Sequence, residues 1–278
     1  MEFSKLGFCN KEFKRIMLGC VTAYPTFKKD YSDMTINILI NGANGKMGRT
    51  TVASIANEKD LQLVSQTTRG DDLAQAIKQH RADVVIDFTT PDAVFENTKT
   101  TIESGARAVI GTTGLTPEQI KSLSQLCDTK KIGCIVAPNF SIGAILLMKY
   151  AQDAAKYLPD VEIIEMHHPK KLDAPSGTAK KTAELIAKNK LHPNISAPID
   201  ETLKNNLSRG LHYCGVPIHA VRASGIFADI QVIFGNHSET LTLSHHASDR
   251  NAMMPGVFLC CRKVMSLNQL VYGIENLL

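Results

Sequence analysis

The run Glu162-Ile163-Ile164-Glu165-Met166-His167-His168-Pro169-Lys170-Lys171-Leu172-Asp173-Ala174-Pro175-Ser176-Gly177-Thr178-Ala179 places two imidazoles and two ammoniums beside the start of a helix. Such a set suits a small dianion that must receive a proton. Ammonium and backbone N–H groups hold carboxylates, and an imidazole donates near neutral pH. Val161 to Met166 reads as a buried strand, and Ser176 to Lys188 as a helix with Ser176 at its N-cap. The loop between them, bounded by Pro169 and Pro175, aims the free N–H groups of Gly177 and Thr178 at the space before the helix, where a carboxylate fits. Adjacent His167 and His168 point to opposite sides of an extended chain, which leaves one of them open to a structural role. A metal at this pair lacks a third ligand, and Asp173 reads better as an acceptor that shapes the loop, so no metal site is expected.

A second pattern concerns a cofactor. Gly42-Ala43-Asn44-Gly45-Lys46-Met47-Gly48 follows an apolar strand and opens a helix, the context in which backbone N–H groups approach a pyrophosphate. Its Gly-x-x-Gly-x-x-Gly spacing is a variant of the common dinucleotide fingerprint. A tight turn without ligand is the competing explanation, but three glycines cost chain entropy for no packing gain. The second strand ends in Gln66-Thr67-Thr68-Arg69, where an NAD enzyme carries an acid for the ribose hydroxyl. Nothing there repels a 2′-phosphate and Arg69 can pair with one, so NADPH is preferred over NADH. Arg69 as a solvated loop charge competes, since Gly70, Asp71 and Asp72 read as surface. Three further loops sit where α/β sheets bind ligands. They are Asp87-Phe88-Thr89, Gly111-Thr112-Thr113-Gly114, and Ala137-Pro138-Asn139-Phe140-Ser141, the last serving as cofactor wall and hinge.

The elements that position these groups follow from periodicity. From Ile36 to Val136, short apolar runs (Ile36–Asn41, Leu61–Gln66, Asp83–Asp87, Ala108–Ile110, Ile132–Val136) alternate with amphipathic stretches (Lys46–Asn57, Asp71–His80, Pro91–Ser104, Thr116–Cys127). That rhythm predicts a parallel sheet with helices on both faces. After Asn139 come a helix from Ile142 to Tyr157, the strand and loop above, and a polar surface stretch from His192 to Arg209. Three closely linked runs follow, Ile218–Ala223, Ile230–Phe234 and Thr240–His245, expected as antiparallel strands. A last helix, Asn251 to Ser266, is apolar on one face and is placed back against the first sheet.

Composition excludes several classes. With 278 residues, 44% hydrophobic and 21% charged, the chain is long enough for two folded domains. A formal charge of +4 with intermixed signs gives no nucleic-acid surface, and no apolar run is long enough for a membrane span. Seven cysteines without paired spacing argue for core residues in a reducing compartment, hence the cytoplasm. The first 33 residues differ in character, mixing Phe3, Phe8 and Phe13 with acids and bases. They lack the pattern of a secretory signal, so Met34 is expected to open the working protein.

Taken together, these motifs resemble the dihydrodipicolinate reductase family, the 4-hydroxy-tetrahydrodipicolinate reductases of the diaminopimelate route to lysine. Glu162 to Ala179 agrees with that family's pattern at every fixed position, and the likeness extends from about Ile36 to Leu278. It includes Ser244-His245-His246-Ala247-Ser248-Asp249-Arg250 near the end. The resemblance implies a Rossmann-like doubly wound sheet formed by 34–138 with 249–278, and an α+β substrate and tetramerisation domain with a mixed sheet at 139–248. It implies His167 as general acid, Lys171 as the cation that binds substrate and supports the proton, and His168, Ser176, Gly177 and Thr178 around a dicarboxylate. The cofactor contacts so implied are Gly42, Asn44, Gly45, Lys46, Met47, Gly48, Arg69, Phe88, Gly111, Thr112, Thr113, Pro138, Asn139 and Phe140. Two departures stand out. Thr68 occupies a position that is often Glu in the family, and Ala228-Asp229-Ile230 replaces a common Gly-Glu-His. Another NADP-linked reductase of a small amino or keto acid, or a silent NADPH sensor, would share the glycine turn. Neither accounts for the His-His-Pro-Lys-Lys loop.

Overall fold

Parallel strands can be joined only by crossovers, so a parallel sheet carries helices on its faces and its strands are apolar on both sides. In the computed structural model, which describes residues 35–190, 207–275, 277 and 278, the first half of the chain obeys this rule. β1 (Ile36–Asn41), β2 (Leu61–Thr67), β3 (Val84–Asp87), β4 (Arg107–Ile110) and β5 (Cys134–Val136) alternate with α1 (Lys46–Ile55), α2 (Leu73–His80), α3 (Val94–Glu103) and α4 (Pro117–Lys130). With β11 (Leu270–Tyr272) they form a six-stranded parallel sheet in the order β11-β5-β4-β3-β1-β2. Alternate residues divide between two layers of core. Ile38, Ile40, Val84, Ile86 and Ile135 pack with Ile55 of α1 and with Val257, Phe258 and Val264 of α7 (Met254–Val264). On the other face Leu39 and Val85 meet Leu73 and Ile77 of α2. There too Ala108, Ile110 and Val136 meet Val94, Ile102, Leu123 and Cys127 of α3 and α4.

The second sheet has the order β10-β9-β6-β8-β7, built from β6 (Asp160–His167), β7 (Leu211–Tyr213), β8 (Val216–Arg222), β9 (Ala228–Asn236) and β10 (Glu239–Ala247). Here the sequence expectation needs correction. β8 and β9 do run in opposite directions, but they are not neighbours, because β6 lies between them, parallel to β8 and antiparallel to β9. β6 buries Val161, Ile163 and Glu165, and its position between β8 and β9 pairs both of its edges. α5 (Ile142–Ala154) and α6 (Gly177–Asn189) cover one face. Leu147, Ala151, Ala179, Ala183 and Ile186 pack there on Ile163, Ile218, Val232 and Phe234. The opposite face leaves Ile164, Met166 and Ile233 half-buried and Val221 exposed.

Other differences are local. The last helix begins at Met254 after a short 3-10 turn over Arg250–Met253. Pro255 lacks an N–H and fits only a first turn, so the regular helix cannot start earlier. β7 and β11, three residues each, are too short for a periodicity to announce them. The segment 1–33 and most of the polar stretch from 192 lie outside the described residues. Among the described residues no helix is long and apolar enough to cross a membrane.

Ile163, fully buried at the centre of β6, anchors the strand that carries the imidazole pair. Ile163→Ala should cost about 2–5 kcal/mol of stability, read as a lower midpoint of urea unfolding with an unchanged slope.

Candidate active site

The chain leaves β1 towards β2 on one side and returns to β3 on the other, so a crevice opens at the carboxyl ends of β1 and β3. The glycine turn sits in that crevice. Gly42 has φ 84°, and a Cβ there would collide with the Phe88 carbonyl that follows β3. A Cβ on Gly48, in the first turn of α1, would collide with the Gly42 carbonyl and lie 2.7 Å from the Ala43 Cα. Backbone therefore fills the space that side chains would take elsewhere. Gly45 caps α1 without a side-chain acceptor, so the first N–H groups of the helix remain available to an anion. This cradle fits the pyrophosphate of a dinucleotide.

A buried carboxyl group fixes the strand ends around it. Asp87, 1% exposed, accepts from Asn41 Nδ2 at 3.0 Å, Asn97 Nδ2 at 3.2 Å, Thr89 Oγ1 at 2.7 Å and Thr112 Oγ1 at 2.6 Å. Asn41 Oδ1 in turn accepts from Thr67 Oγ1 at 3.0 Å. One network thus ties together the ends of β1, β2, β3 and β4. Beside it Phe88 and Phe140 meet edge to face, with centroids 6.0 Å apart. A Cβ on Gly111 would strike both rings. The result is a smooth apolar wall against which a flat ring can lie.

The crossover between the sheets is similarly pinned. Asn139 Oδ1 accepts from the Ser141 N–H at 2.8 Å, and Ser141 Oγ caps α5 through the Ala144 N–H at 3.4 Å. Ser141 Oγ also lies 3.0 Å from His245 Nε2 on β10, and burial lowers the pKa of that imidazole. Gly256 of α7 packs so closely on the Phe140 carbonyl that no side chain fits there.

Across the cleft, β6 delivers the imidazole. Glu165 is 0% exposed and shares a face with His167, two residues on. Its Oε2 lies 2.6 Å from His167 Nδ1. Arg222, at the end of β8, donates Nη1 to Oε2 at 2.9 Å and Nη2 to Oε1 at 2.8 Å. The Ser176 N–H donates to Oε1 at 3.1 Å, and Ser176 Oγ caps α6. Burial alone would raise the Glu165 pKa, but the hydrogen bonds from His167 and Arg222 outweigh it and hold the carboxyl below its ordinary range. The loop beyond carries Lys171, whose Nζ donates to both oxygens of Asp173 at 2.8 and 3.0 Å. That hydrogen bond lowers the Asp173 pKa. His168 packs against Phe227, 6.5 Å between centroids, and its buried Nδ1 has no partner among the described residues. Arg250 lies over the same phenyl ring at 5.4 Å.

A family model described as dihydrodipicolinate reductase, N-terminus, matches residues 36–140, and one described as dihydrodipicolinate reductase, C-terminus, matches 143–278. The chain belongs to the dihydrodipicolinate reductase family. It is an oxidoreductase. The 4-hydroxy-tetrahydrodipicolinate reductase of Coxiella burnetii (strain Dugway 5J108-111) is 58% identical over 245 residues, 88% of this chain and 100% of that one. The reductase of Legionella pneumophila strain Philadelphia 1 is 47% identical over the same coverage. A solved structure, dipicolinate-bound dihydrodipicolinate reductase from Paenisporosarcina sp. TG-14, superposes with a TM-score of 0.80 at 42% identity, covering 88% of this chain and 100% of that one.

For this member of the family the structure brings most of the expected residues to one cleft of about 640 Å³. Met47, Phe88, Gly111, Pro138, Asn139 and Phe140 line one side, and His167, His168, Lys171, Ser176 and Thr178 the other. The Asn139 amide reaches across to Thr178 Oγ1 at 3.4 Å. Gly42, Asn44, Gly45, Lys46 and Gly48 form the turn behind Met47, outside this lining, and Gly177, Thr113 and Arg69 also lie outside it. The Thr112 hydroxyl is committed to Asp87. Arg69 is exposed on a turn held by Asp71, which accepts from the Thr68 N–H at 2.8 Å and the Thr68 hydroxyl at 3.0 Å. Sequence reading missed the roles of Glu165, Arg222, Asp87 and the Ser141–His245 pair. A glutamate two residues before a histidine in an apolar strand is the one legible hint. Arg222 is 51 residues beyond the loop it holds. Among the described residues no group of three or more metal-ligating side chains occurs.

Gly48→Ala should raise the Kd for NADPH at least about tenfold and lower stability by about 1–3 kcal/mol through overpacking. Fluorescence titration and thermal unfolding check the two effects.

Proposed function

We propose that the chain reduces 4-hydroxy-tetrahydrodipicolinate, or the dihydrodipicolinate formed from it by loss of water, to tetrahydrodipicolinate on the route to diaminopimelate and lysine. The cofactor is a nicotinamide dinucleotide, NADPH by preference, with NADH also accepted. The observation that carries this reading is a carboxylate-held imidazole and an ammonium beside a helix N-terminus, in a cleft whose opposite wall is formed by Phe88, Phe140 and Met47 of the glycine turn.

When bound, the nicotinamide supplies a hydride. Its dinucleotide would be held by the turn at Gly42, Asn44, Gly45, Lys46 and Gly48, with Met47, Phe88, Gly111, Thr112, Thr113, Pro138, Asn139 and Phe140 along the ring. His167 gives the proton. Its Nδ1 is taken by Glu165, which leaves Nε2 to face the substrate. Lys171 turns from Asp173 to a substrate carboxylate. The N–H groups of Gly177 and Thr178 in the first turn of α6 serve the second carboxylate, with Ser176 setting that turn and His168 at the cleft wall beside it. The reading of NADPH as preferred rests on Arg69 and on Thr68 standing where an acid would repel a 2′-phosphate, the neighbouring Asp71 carboxylate being engaged by the Thr68 N–H and hydroxyl.

The same reading divides the chain into a dinucleotide-binding domain, 34–138 with 249–278, and a substrate domain, 139–248, hinged at Ala137–Ser141. The open face of the mixed sheet, with Val221 exposed and Ile164, Met166 and Ile233 half-buried, would pair subunits into a homotetramer. Its cysteines among the described residues are all free, which accords with the cytoplasm.

The test follows NADPH absorbance with pyruvate and aspartate semialdehyde supplied through the preceding synthase. Synthase-dependent oxidation supports the reading, and NADPH binding without any such oxidation overturns it. In that assay His167→Gln should lower kcat by about 10²–10⁴ with little change in substrate KM. Arg69→Ala should weaken NADPH about tenfold and leave NADH almost untouched, as separate titrations of the two cofactors would register.

A further inference from the structure

We infer that Glu165 and Arg222 form a positioning pair that fixes the ring of His167 and sets how readily it releases its proton. This rests on the reading of His167 as the proton donor. Neither residue of the pair needs to touch substrate. Glu165 has no exposed surface, and Arg222 is spent on protein acceptors. Besides Glu165 it donates to the carbonyls of Asp173 at 2.6 Å, Val221 at 2.8 Å and Lys171 at 3.4 Å.

Geometry first limits the ring. An ionised carboxylate only accepts, so the bond at Nδ1 requires the proton to sit there, and the acid form must carry a second proton on Nε2. The backbone reinforces the placement. His167 and Arg222 are register partners in the parallel β6–β8 ladder, and the Ala223 N–H donates to the His167 carbonyl at 3.0 Å. Arg222 also grips both carbonyls that flank Leu172, so the ring that gives the proton and the loop that bears Lys171 are held by one guanidinium.

Charge then limits the acidity. A bare glutamate against the ring would stabilise the imidazolium and make a reluctant donor. Shared with Arg222, the carboxylate belongs to a neutral ion pair, and the imidazolium gains correspondingly less from it. Other charged or titratable groups face the same cleft: Lys170, Lys171 and Asp173 on the loop, His168 beside the ring, Asp229 on β9, His245 on β10, and Arg250 after it. Among the described residues only Glu165 is bonded to the ring, and only Arg222 is bonded to that carboxylate by two nitrogens.

The two partners therefore make opposite predictions. Glu165→Gln removes the negative charge and keeps the shape. The basic limb of the kcat–pH profile should move to lower pH and kcat should fall on the order of 10², with substrate KM changed little. Arg222→Met removes the positive charge, and the same limb should move to higher pH. A ¹⁵N spectrum of the His167 ring, recorded on the full chain without substrate, should show Nδ1 protonated in the neutral wild-type ring and a mixture of tautomers in Glu165→Gln. Opposite movements with that tautomer change support the pair. Reduction by the wild type, with both variants folded and neither moving the profile nor the spectrum, overturns it. If Arg222→Met does not fold, Glu165→Gln and its spectrum decide alone. If the wild type fails to oxidise NADPH in the synthase assay, the reductase reading falls, and the ring spectra still test the pair.

Discussion

A carboxylate without exposed surface must find donors on every side, because an unpaired buried charge costs several kcal/mol. Glu165 imposes that demand on the mixed sheet. Its donors come from three elements: the His167 ring two residues along β6, the Arg222 guanidinium at the end of β8, 57 residues away, and the Ser176 N–H at the entrance to α6. Satisfying them draws the ends of β6, β8 and α6 to one point. The intervening loop is left to span the gap, with Lys171 and Asp173 on its crest. The apolar layer beneath, Ile163 and Val232 against Ala179 and Ile186, sets the depth at which the carboxylate lies.

Asp87 does comparable work in the parallel sheet, gathering Asn41, Thr89, Asn97 and Thr112 around a second buried acid. The two sheets thus share a design. Each acid fixes strand ends beside the cleft, and the segment Asn139–Ser141 joins the two halves, with Phe140 against Phe88 on one side and contacts to Thr178 and His245 on the other. A site built this way has little freedom within each half.

The parallel half was legible in sequence because its signals are local. Apolar runs of strand length, helix starts such as Thr116 with Gln119, and glycines between a strand and a helix each declare themselves within a few residues. The same holds for the N-cap at Ser176 and for the cluster from His167 to Lys171. What stayed hidden is non-local. The insertion of β6 between β8 and β9 pairs strands more than 50 residues apart, whereas closeness along the chain pointed to β8 against β9. Arg222 bears no mark in its own stretch of sequence that it serves a glutamate on another strand. Thr112 was expected at the cofactor for its hydroxyl, yet that hydroxyl is already bonded to Asp87, a choice that depends on β3 and β4 lying side by side.

The return of the chain end to the first sheet has a consequence for biosynthesis. β11 adds to β5, and α7 supplies Val257, Phe258 and Val264 to the layer beneath β1 and β3. A ribosome emits β1 to β5 long before these pieces. Until residue 272 has emerged, the nascent sheet has an open edge along β5 and an apolar face lacking its lid, the kind of surface that recruits chaperones or other nascent chains. Loss of the stretch from Leu270 onward would leave every cleft residue in the sequence and the sheet one strand short.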